Sequence, residues 1–176
     1  MATNRVAWPV WAATPRELAA YGGALAMVST IVWRRTLKIV GVELPKAGSR
    51  THLIPLAWAS FLAKAHLITR SVRPHILYGV WRRPPEAESP SYLVGVEVPD
   101  SAGVPEGLTV YKVPEGRFAV MKSDDDPAGS VTAYELVMSH SPRTGETSRE
   151  ALAFEVYDTS QEIADEYNVP VCIPIQ

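Results

Sequence analysis

The stretch Ala151-Leu152-Ala153-Phe154-Glu155-Val156-Tyr157-Asp158 decides how this chain is read. Neighbours on a strand alternate faces. One face of this octapeptide carries Leu152, Phe154 and Val156, which is plain core. The other carries Ala153, Glu155 and Tyr157: a carboxylate and a phenol two positions apart, beside a residue small enough to leave room. Tyr78-Gly79-Val80-Trp81 falls at the corresponding place in the first half of the chain, and Leu77, Gly79 and Trp81 occupy the matching face. Gly79 has no side chain, so it leaves space opposite Glu155. Tyrosine, tryptophan and glutamate around a vacancy suit a flat, apolar, partly cationic molecule.

Working outward, the order of elements repeats. Met27 to Arg34 and Thr36 to Val42 are rich in Val, Ile and Thr and read as strands. A helix is expected from about Thr51, with Pro55 tolerable in its first turn and Ile54, Trp58, Phe61 and Ala65 on one face. Ile76 to Arg82 and Tyr92 to Val98 read as strands joined by a hairpin loop. In the second half, Leu108 to Val113 and Arg117 to Met121 read as strands with Pro114-Glu115-Gly116 as the turn. Asp124-Asp125-Asp126-Pro127 reads as an acidic helix start, followed by Val131, Tyr134 and Met138 on one face. Ala151 to Asp158 and Asn168 to Ile175 close the chain as strands. Strand, helix, strand, strand thus occurs twice, and a duplicated unit of this kind places a groove on its pseudo-two-fold axis. Ahead of it, Thr14-Pro15-Arg16-Glu17 starts a short helix that Gly22-Gly23 ends. Residues 1–26 are read as an appended extension and residues 27–176 as one α+β domain with an antiparallel sheet.

Composition narrows the function. Of 176 residues 47% are hydrophobic, enough for one well-cored domain. The formal charge of −2 shows no basic excess, so direct nucleic-acid binding is not expected. The single cysteine, Cys172, permits no intrachain disulfide and fits a reducing, cytoplasmic setting. His52, His66, His75 and His140 show no metal spacing, and no cofactor signature occurs. Leu18 to Trp33 is mostly apolar but shorter than the roughly 20 residues that span a bilayer, so no membrane role is expected. Ser139-His140 lacks the setting of a serine hydrolase, and Asp124 to Asp126 lacks calcium-loop spacing.

Seven blocks in order resemble a known family. They are Ile54 to Phe61, Tyr78-Gly79-Val80, Tyr92 to Val98, Val104 to Leu108, Val113 to Val120, Phe154-Glu155-Val156-Tyr157 and Val171 to Ile175. Together they are similar to the GyrI-like, effector-binding domains, over residues 27–176. The resemblance implies two strand-helix-strand-strand units around a central groove. In multidrug-responsive activators such domains bind lipophilic, often cationic, aromatic compounds. The resemblance places a ligand-site glutamate at Glu155. It also makes Trp81, Tyr134 and Tyr157 ligand-site residues; Gly79, by the space it leaves, and Trp58 complete the expected set, although Trp58 and Tyr134 also sit at core spacing. The namesake protein acts on gyrase, so gyrase or a regulator is an implied partner. Lys122-Ser123-Asp124-Asp125-Asp126 is more acidic than the family pattern at the place where such a surface would be carried over.

Two functions need the same pocket. A binding module for resistance or sensing requires only the aromatics and the charge of Glu155. A hydrolase, as some stand-alone relatives of this kind are, would open a cyclopropane conjugated to a dienone by adding water. Glu155 would then hold or deprotonate the water, and Tyr157 or Tyr134 would donate to the oxyanion. Arg34, Arg35, Arg82 and Arg83 read as solvated rims at strand ends.

Overall fold

The computed structural model describes residues 28–121, 151–160 and 169–175. The strands are β1 (Val28–Arg34), β2 (Leu37–Leu44), β3 (Ile76–Arg83), β4 (Ser91–Val98), β5 (Thr109–Val113), β6 (Gly116–Met121), β7 (Ala151–Asp158) and β8 (Val171–Ile175). Helix α1 (Ile54–Lys64) follows β2 and is flanked by short 3-10 turns at Thr51–Leu53 and Ala65–Leu67. The helix expected near residues 15–22, and the one expected after Asp124 with Val131, Tyr134 and Met138, lie outside the described residues.

All eight strands form one antiparallel sheet in the order β1-β6-β8-β7-β3-β4-β2-β5. The order shows the duplication. The first unit contributes β2-β4-β3, the second β6-β8-β7, and the units meet where β3 pairs with β7. Each unit is preceded by a further strand that crosses to the other: β1 pairs with β6, and β5 pairs with β2. The turn at Pro114-Glu115-Gly116 therefore does not close a hairpin, because β5 and β6 are not neighbours.

Chain length then dictates the shape. Only Arg35 and Thr36 join β1 to β2, yet those strands stand six places apart in the sheet, and only Pro114 and Glu115 join β5 to β6 across the same separation. Six strand spacings span about 29 Å in a flat sheet. A two-residue link bridges at most about 11 Å. The sheet must curl until its two ends approach, which makes it a half-barrel. Gly41 and Gly95, paired on β2 and β4, serve this bend. A side chain on Gly41 would collide with the carbonyl of Val94, and one on Gly95 with the carbonyl of Val40.

The curl gives the sheet two different faces. Inside it lie Ile39, Tyr78, Val80, Leu93, Tyr111, Val113, Phe118, Phe154 and Cys172, one cluster that joins strands from both ends of the sheet. Outside, Ala57 and Phe61 of α1 pack with Val40, Tyr92, Val94 and Val96. β4 is thus buried on both faces. Glu97, on its inner-face parity, is fully buried at 0% exposure. Arg35, from the β1–β2 link, and Arg73 both pair with its carboxylate, and Arg73 also donates to the Tyr78 hydroxyl at 2.7 Å. The link that forces the curl is therefore pinned to the inner core. Two arginines expected at solvated rims are instead engaged with aromatic rings. Arg34 lies 5.6 Å from the Phe154 ring centre and Arg82 lies 5.1 Å from that of Tyr111. The curl turns these strand ends inward, which an isolated strand pattern does not reveal.

Candidate functional site

The β3–β7 junction fixes the centre of the molecule. Gly79 pairs with Glu155, Leu77 with Tyr157 and Trp81 with Ala153. The two halves align Gly79 with Glu155, so the pseudo-two-fold axis passes through that pair. Alternation sends Phe154 and Val80 into the curl and turns Glu155, Tyr157 and Trp81 to the outer face, beside α1.

The space above Gly79 is not open. A Cβ there would strike the Tyr92 hydroxyl and would lie 2.6 Å from Glu155 Oε2. The missing side chain is what allows a phenol and a carboxylate to meet on the axis. Tyr157 donates its hydroxyl hydrogen to Glu155 Oε2 at 2.9 Å, and Tyr92 donates to the same oxygen at 3.3 Å. Trp58, on α1, donates its ring N–H to the Tyr92 oxygen at 3.2 Å. The rings brace one another: Trp81 lies 4.8 Å from Tyr92, and Trp58 meets Tyr157 edge-on at 4.9 Å. Tyr92 and Trp81 are buried and form the floor. Glu155, Tyr157, Trp58 and Leu77 keep partial access and form the rim.

Burial controls the protonation of this group. It raises Glu155 above the usual carboxylate range, against the lowering pull of hydrogen bonds from Tyr157, Tyr92 and Trp81. Burial, reinforced by the negative charge of Glu155, also pushes both Tyr92 and Tyr157 far above the ordinary phenol value. The phenols therefore remain donors across the physiological range, while burial favours the protonated form of the carboxyl over what it would be in water. Among the described residues no group of three or more His, Cys, Asp or Glu side chains is arranged to hold a metal, and no helix is long and apolar enough to cross a membrane.

Of the six residues singled out from sequence, the structure brings Glu155, Tyr157, Trp81, Gly79 and Trp58 together. Tyr134 lies outside the described residues. Tyr92 was missed as a site residue. Its position on the outer-face parity of β4, paired with Trp81, is the signal that finds it, but only once the order β7-β3-β4 is known. Trp58 combines both readings, because it packs against the core and also reaches the centre.

The curled antiparallel sheet with α1 against its outer face defines a class of α+β domain. Residues 27–176 match the GyrI-like small molecule binding domain, and the chain belongs to that family. It is 27% identical over 133 residues to the transcriptional regulator BrlR of Pseudomonas aeruginosa. That alignment covers 75% of this chain and 48% of the regulator, so the chain spans about half the length of that relative. Among solved structures, SAV2435 bound to tetraphenylphosphonium superposes with a TM-score of 0.56 at 16% identity, over 83% of this chain and 92% of that one. A putative bacterial transcription regulation protein from Staphylococcus aureus MU50 gives 0.53 at 14% identity, over 83% and 96%. At these identities the structural matches speak for the fold.

Proposed function

We propose that the chain binds lipophilic aromatic compounds, cations above all, with the Glu155 carboxylate as counter-charge, in the service of resistance or ligand sensing. One observation carries this reading. A carboxyl group sheltered from bulk water sits on the symmetry axis among four aromatic rings, on the partly accessible outer face. Aromatic faces attract cations, and a desolvated carboxylate attracts them further. The solved relative that holds tetraphenylphosphonium supports the ligand class. The cell interior is the expected setting, and no nucleic acid is needed as a partner. Titration with tetraphenylphosphonium, followed by quenching of tryptophan fluorescence, should give one saturable site, because Trp58 and Trp81 flank the carboxylate. A linear, non-saturating response would sink the proposal.

The hydrolase reading draws on the Glu155–Tyr157 contact at 2.9 Å, which sets a proton acceptor beside a proton donor. Incubation with a spirocyclopropane alkylator, followed by mass spectrometry, separates the two. A product heavier by one water that forms in proportion to the protein establishes turnover, and unchanged alkylator leaves binding as the function.

A further inference from the structure

The outer surface of α1 is built for contact. Ile54–Lys64 reads IPLAWASFLAK, with Ser60 and Lys64 as its polar residues. A helix that is apolar all round is normally covered on every side. Ala57 and Phe61 are buried against the sheet, yet Leu56 is 62% exposed, Leu62 60% and Leu67, in the turn that extends the helix, 41%. At 100° per residue, Leu56, Ala59 and Ala63 lie within about 60° of one another on the side away from Ala57 and Phe61, and the 3-10 turn carries the exposed Leu67 beyond the end of the helix. Leu56 and Leu67, roughly 18 Å apart along the helix and its terminal turn, thus stand at the two ends of a stretch of small residues, Ala59 and Ala63, which lets a crossing helix approach closely.

Charge identifies the occupant. The chain as a whole carries −2, but from Glu43 to Glu86 no acidic side chain intervenes. Over that stretch stand Lys46, Arg50, Lys64, Arg70, Arg73, Arg82 and Arg83. Lys46, Lys64 and Arg70 are exposed around α1, and no carboxylate on that stretch neutralises them. A second copy docked face to face across a two-fold axis would set these cations against one another. A membrane surface is disfavoured as well, because helices that lie in lipid interfaces carry a strongly charged polar face opposite the inserted one, whereas Ser60 and Lys64 are the polar residues of α1.

We propose that α1 is a docking surface for an amphipathic helix of a partner protein, one whose apolar stripe is flanked by acidic side chains. Leu56 and Leu67 seat the apolar stripe, Ala59 and Ala63 admit its backbone closely, and Lys64 and Arg70 meet the flanking carboxylates. The surface lies on the far side of α1 from the Glu155 site and is independent of what that site binds.

The test uses a dye-labelled synthetic 18-residue helix with a leucine stripe flanked by glutamates, its counterpart with lysines in place of the glutamates, and vesicles of phosphatidylserine and phosphatidylcholine. Fluorescence anisotropy should show the acidic helix bound and the basic helix at least about tenfold weaker. Leu56→Glu with Leu67→Glu, and separately Lys64→Glu with Arg70→Glu, should each weaken the acidic helix by at least about tenfold. All four side chains are exposed, and circular dichroism melts confirm that the variants stay folded. No binding of the acidic helix, equal binding of both helices, or binding unaffected by either double variant overturns the proposal. So does vesicle binding that the Leu56→Glu, Leu67→Glu variant abolishes, which would assign the surface to lipid.

Discussion

Placing a methyl group on Gly79 perturbs the molecule at its centre. The backbone there is in no left-handed conformation, so alanine meets no backbone strain. Its Cβ would collide with the Tyr92 hydroxyl, approach Tyr92 Cζ to 2.9 Å and lie 2.6 Å from Glu155 Oε2. Tyr92 cannot simply step aside, because it is 1% exposed and packed against Trp81. Overpacking of this kind costs about 1–3 kcal/mol. Displacing the phenol also breaks its bonds to Glu155 and Trp58, each worth about 1 kcal/mol net. Against this, alanine recovers roughly 0.5–1 kcal/mol over glycine in a strand interior. The net loss is about 2–4.5 kcal/mol, or a fall in melting temperature of about 4–18 °C for a chain of this size. Urea unfolding of Gly79→Ala measures it directly. Adding Tyr92→Phe should recover part of the loss, since it removes the oxygen in the closest clash. A Gly79→Ala variant as stable as the parent, or more stable, would refute the idea that this notch exists to seat Tyr92 against Glu155.

Other outcomes follow from the same geometry. Because burial raises Glu155 above its ordinary value of 4.5, the folded state holds that proton more tightly than the unfolded chain does. Its contribution to stability is therefore complete below about pH 4.5 and is lost as pH rises from there through the raised folded value. Glu155→Gln should be stabilising relative to the parent at neutral pH, with the advantage shrinking toward pH 4, as read by thermal melts across that range. Arg73→Ala strips donors from Glu97 and Tyr78 and should cost about 1–2 kcal/mol in urea unfolding, toward the low end because water reaches the exposed part of that arginine. An unchanged urea midpoint would show that Arg35 alone satisfies Glu97. Trp58→Phe keeps the ring but loses the donor to Tyr92 and should cost about 0.5–1.5 kcal/mol.

Much of the fold was legible because its signals are local. Alternation in Ala151–Asp158 assigned inner and outer faces, and the repeat of Tyr78–Trp81 against Phe154–Tyr157 anticipated the register Gly79↔Glu155. Two features needed the tertiary arrangement. The exchange of β1 and β5 between halves leaves no mark on either strand's own sequence, since a strand reads the same whichever neighbour it pairs with. The inward turn of Arg34 and Arg82, and the burial of Glu97, follow from a curl that two-residue links impose at a distance. Tyr92 escaped for the same reason, since an aromatic on a strand buried on both faces reads as core. Only its hydroxyl, aimed into the Gly79 notch, marks it as part of the centre.

The central claim is that Glu155 supplies the counter-charge for an organic cation. The direct measurement is the dissociation constant of tetraphenylphosphonium, alongside that of neutral triphenylphosphine oxide, for the parent and for Glu155→Gln at neutral pH. Glutamine keeps the shape and removes the charge. A cation about 4 Å from a partly buried carboxylate gains up to roughly 4 kcal/mol, partly offset by desolvation, so its affinity should fall about 10–100-fold. The neutral compound should bind the two proteins alike, within about a factor of two or three. Equal loss for both ligands, or no loss for the cation, would contradict the assignment.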